Sequence, residues 1–295
     1  MPFFRFRFLR VRGGLGQRTV RRVWRSLLPE EFRERNAFAQ ASEIHRCRRK
    51  QLGKLRQVGW TSVDTPSRLV FAMNCPPVDV MTDRKGLRLC RFRYWCPYCW
   101  ARSYVLEPFR RFSHLLRHPQ TLPAGCRVWE VQQVFAVDRY EASVAELHRE
   151  LCTFRGEFLR KSFPRSVGSF SLVAIEPDRR DPLRWLLHQR ALVVTAAGFR
   201  PKRVLPLADR ELLSVDAGRC ATIPAQKIRG CGVVPGLEEV AAAVARVGAY
   251  PAGLLYGDAE AVLRVIEGRQ QGSRGRRGSA FTGLLRALPP VAEGG

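Results

Sequence analysis

The chain has 295 residues, and its 45% hydrophobic and 10% aromatic content excludes wholesale disorder while allowing one large domain or two modest ones. Lys and Arg number 51 against 26 Asp and Glu, a net charge of +25 that repels itself unless a polyanion relieves it. Nucleic acid is the usual polyanion, and no apolar run reaches the roughly 18–20 residues of a membrane-spanning helix.

Residues 1–60 read as a basic, partly helical region. The opening MPFFRFRFLRVRGGLGQRTVRRVWRSLL mixes arginine with aromatics and has no acid before Glu30. It lacks the apolar core of a secretory signal, and between a transit peptide and a DNA-contacting arm the second is preferred. The run HRCRRKQLGKLRQ has few apolar positions. Its Arg46, Arg48 and Arg49 are candidate phosphate contacts, against the plainer reading of a solvated helix face. Nine cysteines without a secretory signal point to a reducing compartment, and the expected location is a bacterial cytoplasm.

Residues 61–104 are turn-rich and hold a cysteine cluster ending in CRFRYWCPYCWAR. Zinc needs four soft ligands at about 2.3 Å in a tetrahedron, and a CxxC turn supplies two from one tight loop. Cys96 and Cys99 form that CxxC, with Cys90 six residues upstream and Cys75 as the fourth ligand of a structural Zn²⁺ module. Cys47 or His114 could replace Cys75. A redox CxxC is the other reading, but it normally opens a helix after a thioredoxin-type strand, and that setting is absent. Tyr94, Trp95, Tyr98 and Trp100 either pack on the neighbouring domain or stack on bases, while Arg91, Arg93 and Arg102 suit phosphates.

Residues 105–295 are expected to form an α+β domain. Leu106, Phe109, Phe112, Leu115 and Leu116 recur at helical spacing and read as core. RVWEVQQVFAV (127–137) reads as a strand, and ASVAELHRELCTFRGEFLRKSF (142–163) as an amphipathic helix. SFSLVAIEPD (169–178) and WLLHQRALVVTAAG (185–198) read as two strands joined by the polar turn DRRDPLR. Helices are expected over 237–250 and 258–270, then a basic glycine-rich linker (271–283) and a short helical turn at Leu284–Leu288. That order suits an antiparallel sheet better than repeated βαβ crossovers.

The segment C-RFRYW-CPYC-WAR resembles the region ahead of the catalytic core in plasmid and phage rolling-circle replication initiator (Rep) proteins, which carry an HUH-endonuclease fold. The resemblance spans about 75–290 and is sharp only in the cysteine segment. It implies a strand carrying a carboxylate, matched by Glu176 in LVAIEPD. It also implies a strand that opens with Trp and carries two histidines, matched by Trp185 and His188 in RWLLHQRALVVT. The nucleophilic tyrosine would be Tyr250 in EVAAAVARVGAYPAG, with Tyr256 a poorer match. In the family, a divalent cation (Mg²⁺ or Mn²⁺) polarises the scissile phosphate and the tyrosine attacks, leaving a 5′-phosphotyrosine and a free 3′-hydroxyl. The chain departs from this pattern at position 190, which is Arg where the second histidine belongs, and at Gly253, where the family has lysine. Arginine cannot ligate a cation, so nicking by Tyr250, His188 and Glu176 is expected to be impaired and Arg190 to hold phosphate. The implied partners are origin DNA, double- or single-stranded, and host replication proteins. A non-catalytic zinc-containing DNA- or RNA-binding protein is the alternative.

Overall fold

Four long strands dominate the middle of the chain, and in three of them Val, Leu, Ile or Phe recur in runs that fit a pleated, buried surface, while the fourth is mostly exposed. The computed structural model describes residues 37–59, 95–118, 122–199 apart from 124, 201, 207, 210–223, 236–272 and 278–288. Strands β1 (Arg127–Asp138), β2 (Ser166–Pro177), β3 (Arg184–Thr195), β4 (Glu211–Thr222) and β5 (Ser279–Thr282) form one sheet in the order β4-β1-β3-β2-β5. Every pairing is antiparallel, so the α+β class expected from the element order is the class observed.

The β2–β3 hairpin turns where the sequence places it. Asp178 and Asp181 accept hydrogen bonds from the backbone amides of Arg180 and Leu183, at 2.8 and 2.9 Å, which is how short acidic side chains stabilise turns. β3 is buried on both faces from Leu187 to Thr195, since helices cover the sheet on either side. On one side lies α4 (Val144–Ser162), whose Phe154 packs edge-on against Phe135 of β1 at 5.8 Å. A capping box starts that helix: Ser143 accepts the Glu146 amide, and Glu146 in turn accepts the Ser143 amide. On the other side, Arg246 of α5 (Leu237–Val247) grips Glu130 of β1 with two nitrogens, Nε at 2.9 Å and Nη2 at 2.5 Å.

Earlier in the chain, α1 (Ala37–Gln57) precedes a continuous helical stretch of α2 (Pro97–Ala101), a π turn (Arg102–Leu106) and α3 (Glu107–Arg117). The apolar stripe expected at 105–120 is real: Leu106, Phe109, Phe112, Leu115 and Leu116 are all buried. Burying each such side chain contributes about 1.5–3 kcal/mol. The domain boundary expected between residues 104 and 105 falls inside this stretch. Trp100, Tyr104 and Val105 belong to the same core as the sheet.

The C-terminal third differs from the sequence reading in two ways. The helix expected over 237–250 ends at Val247, and Gly248, its C-cap, lies against the carbonyl of Tyr104 so closely that a Cβ would collide with it. Tyr250 therefore sits in the connection to α6 (Gly253–Tyr256), not on a helix. The expected linker 271–283 holds the last residues of α7 (Ala259–Gly272) and strand β5, which pairs Phe281 with Phe170 of β2. α8 (Gly283–Ala287) supplies the short helical turn anticipated at 284–288. Among the described residues, no helix is long and apolar enough to cross a membrane.

Candidate functional site

Residues two apart on a strand share a face, so His188 and Arg190 of β3 project together. Ala174 of β2 pairs with His188, which puts Glu176, two residues on, within reach of the imidazole. His188 Nε2 lies 2.7 Å from Glu176 Oε1, and Arg190 Nη2 lies 3.2 Å from His188 Nδ1. A guanidinium only donates, so Nδ1 is the acceptor and Nε2 carries the proton that it donates to Glu176. The second carboxylate oxygen, Oε2, accepts the backbone amide of Gly253 at 2.6 Å, and Arg190 Nη1 donates to the carbonyl of Ala249 at 2.8 Å.

All three side chains are buried, at 7% exposure for Glu176, 6% for His188 and 8% for Arg190. Burial, reinforced by the Arg190 charge, pushes the His188 imidazole below its ordinary value and keeps it neutral. Burial alone would raise the Glu176 carboxyl. The hydrogen bond from His188, the Gly253 amide and the Arg190 charge outweigh it and hold the group below the usual carboxylate range. The trio is thus carboxylate, neutral imidazole and guanidinium, with no net charge. It fastens residues 249–253 to the face of the sheet.

Tyr250 occupies that fastened segment. Its hydroxyl is buried and donates to the backbone carbonyl of Trp95, and its ring meets Trp100 edge-on at 5.6 Å. Trp100 Nε1 donates to the carbonyl of Gly248 at 2.8 Å, and its ring also packs on Tyr104 at 4.5 Å. Trp95 and Trp100 are therefore packing residues, which accounts for two of the four rings of the cysteine segment. Tyr256 lies on α6 beneath the guanidinium of Arg179, 5.1 Å from its ring centre.

Glu176, His188, Arg190 and Tyr250 thus come together, as their order in the chain suggested, but not as a cation site. Both nitrogens of His188 are engaged, both oxygens of Glu176 accept hydrogen bonds, and a guanidinium stands 3.2 Å from the imidazole. The residues present do not fit a divalent cation. Arg190, expected among the phosphate contacts, is corrected to a buried structural donor.

Cys96 and Cys99 flank the first turn of α2 and are buried, so one turn does present both thiol-bearing residues. Cys75, Cys90, Arg91, Arg93 and Tyr94 lie outside the described residues, as do the side chains of Tyr98 and Arg102. Among the described residues, no three His, Cys, Asp or Glu converge as a metal site. Cys47 sits on α1, and His114 lies on the exposed edge of α3, its ring 4.5 Å from that of His118.

Of the basic run, Arg46 and Arg49 are exposed on α1, and Arg48 belongs to the same helix. Sequence reasoning missed the backbone partners of the buried trio, Ala249 and Gly253, because a carbonyl or amide has no residue signature. It also missed the docking of α1 by Gln51, whose amide donates to the carbonyl of Gly257 at 3.3 Å. Comparison of the chain with protein-family models, curated proteins and solved structures finds no match.

Proposed function

We propose that the chain is a DNA-binding protein of rolling-circle-initiator type that holds DNA without cutting it. The charge of +25 and the basic N-terminal region support nucleic-acid binding. The antiparallel α+β domain, with Glu176, His188 and the Tyr250 segment brought together in family order, is compatible with an HUH-like core. One observation carries the choice of binding over nicking: the Glu176–His188–Arg190 trio is a closed, electroneutral cluster. A nicking centre needs a Lewis acid on the scissile phosphate and a tyrosine hydroxyl that can reach it. Here the imidazole is committed to two neighbours, and the Tyr250 hydroxyl is buried on a backbone carbonyl.

The cysteine segment supports a structural zinc reading in which Cys75, Cys90, Cys96 and Cys99 would hold the ion. Bound there, the metal would cross-link the segment that packs Trp95 and Trp100 over residues 248–250, with no part in chemistry.

The test is a nicking assay on supercoiled DNA carrying the sequence that flanks the protein's own gene, with Mg²⁺ or Mn²⁺, followed by mass analysis of the protein. Binding without a nick or adduct is expected. A covalent adduct on Tyr250 would overturn the reading, and absence of any DNA binding would remove the function altogether.

A further inference from the structure

Resting on that reading, we infer that the exposed face of α1 is a duplex-DNA contact surface, with Arg49, Lys50, Lys54 and Arg56 set against the phosphate backbone. From residue 46 to residue 57 the helix contains six basic side chains and no acid. It is nonetheless a fixed element. Leu52 and Leu55 are buried at 1% and 0% exposure, and Gln51 is tied to the carbonyl of Gly257. At about 100° per residue, the buried side chains and the four cations fall on opposite sides of the helix, the cations spanning an arc of roughly 160°.

Several arginines elsewhere in the described residues are held by carboxylates. Arg184 is paired with Glu211 and Asp181, Arg210 with Glu141 and Glu150, Arg246 with Glu130, and Arg111 with Glu107. Among the described residues, none of Arg49, Lys50, Lys54 and Arg56 forms an ion pair, and all four are exposed. A docked helix whose cations have no carboxylate partner is complementary to a phosphate chain.

Duplex DNA is the partner that fits best. Binding of single strands without sequence preference rests on aromatic side chains on which bases stack. From residue 46 to residue 57 the proposed surface has no aromatic side chain. A helix about 10–12 Å across suits the major groove of B-form DNA, which is about 12 Å wide, whereas the A-form groove of RNA is too narrow. From residue 46 to residue 56 the helix rises roughly 15 Å, a length over which a duplex carries about nine phosphates.

The experiment measures binding of the full chain to a 30-base-pair duplex DNA across a salt series, beside the same single strand and a duplex RNA. Two variants are compared with the wild type. One carries Arg49→Gln, Lys50→Gln, Lys54→Gln and Arg56→Gln. The control carries Arg160→Gln, Lys161→Gln, Arg165→Gln and Arg219→Gln, all at exposed positions outside α1 and the helices it packs on. Each phosphate contact contributes about −0.9 to the slope of log K against log salt, so the α1 variant should lose about 3 to 4 of that slope and the control under 1. Equal losses in the two variants, or none in the α1 variant, would overturn the surface. Single-stranded DNA or duplex RNA binding as tightly as duplex DNA would overturn the choice of partner. In both cases the DNA-binding function would survive. A wild-type chain that binds no DNA would sink both.

Discussion

Replacing Arg190 by methionine tests the buried trio most directly. The substitution keeps a long unbranched side chain but removes the donor to Ala249, the donor to His188 and the positive charge that balances Glu176. Arg190 and Glu176 are bridged by His188 and do not pair directly, and removing one of two compensating buried charges typically costs about 3–5 kcal/mol, because the other is left uncompensated. Urea unfolding followed by tryptophan fluorescence at about pH 8 should show a loss of that size, within the 5–15 kcal/mol available to an ordinary domain. Lowering the pH should then narrow the gap. In the wild type, burial and Arg190 hold the His188 pKa below its ordinary value of 6.5. Stability from a group of depressed pKa is present above the unfolded value and is lost as pH falls toward the folded one. Without Arg190 one of the two depressing causes is gone, while Glu176 still favours the imidazolium. The folded pKa of His188 therefore rises, and the variant gives up less stability on acidification. The gap at about pH 5.5 should therefore be smaller than the gap at about pH 8. His148, whose pKa burial and then Arg269 push to about 4, weakens both proteins alike over the same range and cancels in the difference. A gap below about 1 kcal/mol at pH 8, or one that widens in acid, would refute the charge assignment of the trio.

Two further outcomes are expected. Cys96→Ser should lower zinc content in elemental analysis of the purified protein and loosen the segment around Trp95. Unchanged metal content would remove the zinc assignment. Gly248→Ala puts a Cβ against the Tyr104 carbonyl and 2.7 Å from Val105 Cγ2, and backbone cannot give way as a flexible side chain does. It should cost about 3 kcal/mol or more, read as a fall in Tm of several degrees, and a wild-type Tm would show that the approach is not as close as described.

The sequence was most informative where one physical rule dominated. β1, β2 and β3 carry long apolar or alternating runs, and their limits lie within a few residues of the expected ones. β4 was missed because its alternation is broken twice: Leu213 and Cys220 are extra residues opposite β1, and nearly every position from 211 to 219 is exposed. β5 was missed because four residues beside a glycine-rich basic stretch have no pattern of their own, and their strand comes from pairing with β2. Glu176, His188, Arg190 and Tyr250 were identifiable as residue types at the right places in the chain. Their state was not, because it depends on the carbonyl of Ala249, the amide of Gly253 and the carbonyl of Trp95, which tertiary contact alone brings to them.

The bond from Gln51 to Gly257 joins residues 206 apart in the chain. A ribosome adding about 5–20 residues per second takes roughly 10–40 s to travel that distance. Throughout that interval the basic helix has left the exit tunnel while the surface that seats Leu52 and Leu55 has not been made. An arginine-rich segment is then in the company of ribosomal RNA, the nearest polyanion, before it can reach its own fold. Docking of α1 is consequently a late event of synthesis, and a chain stopped before α7 would carry the charge of the helix without its orientation.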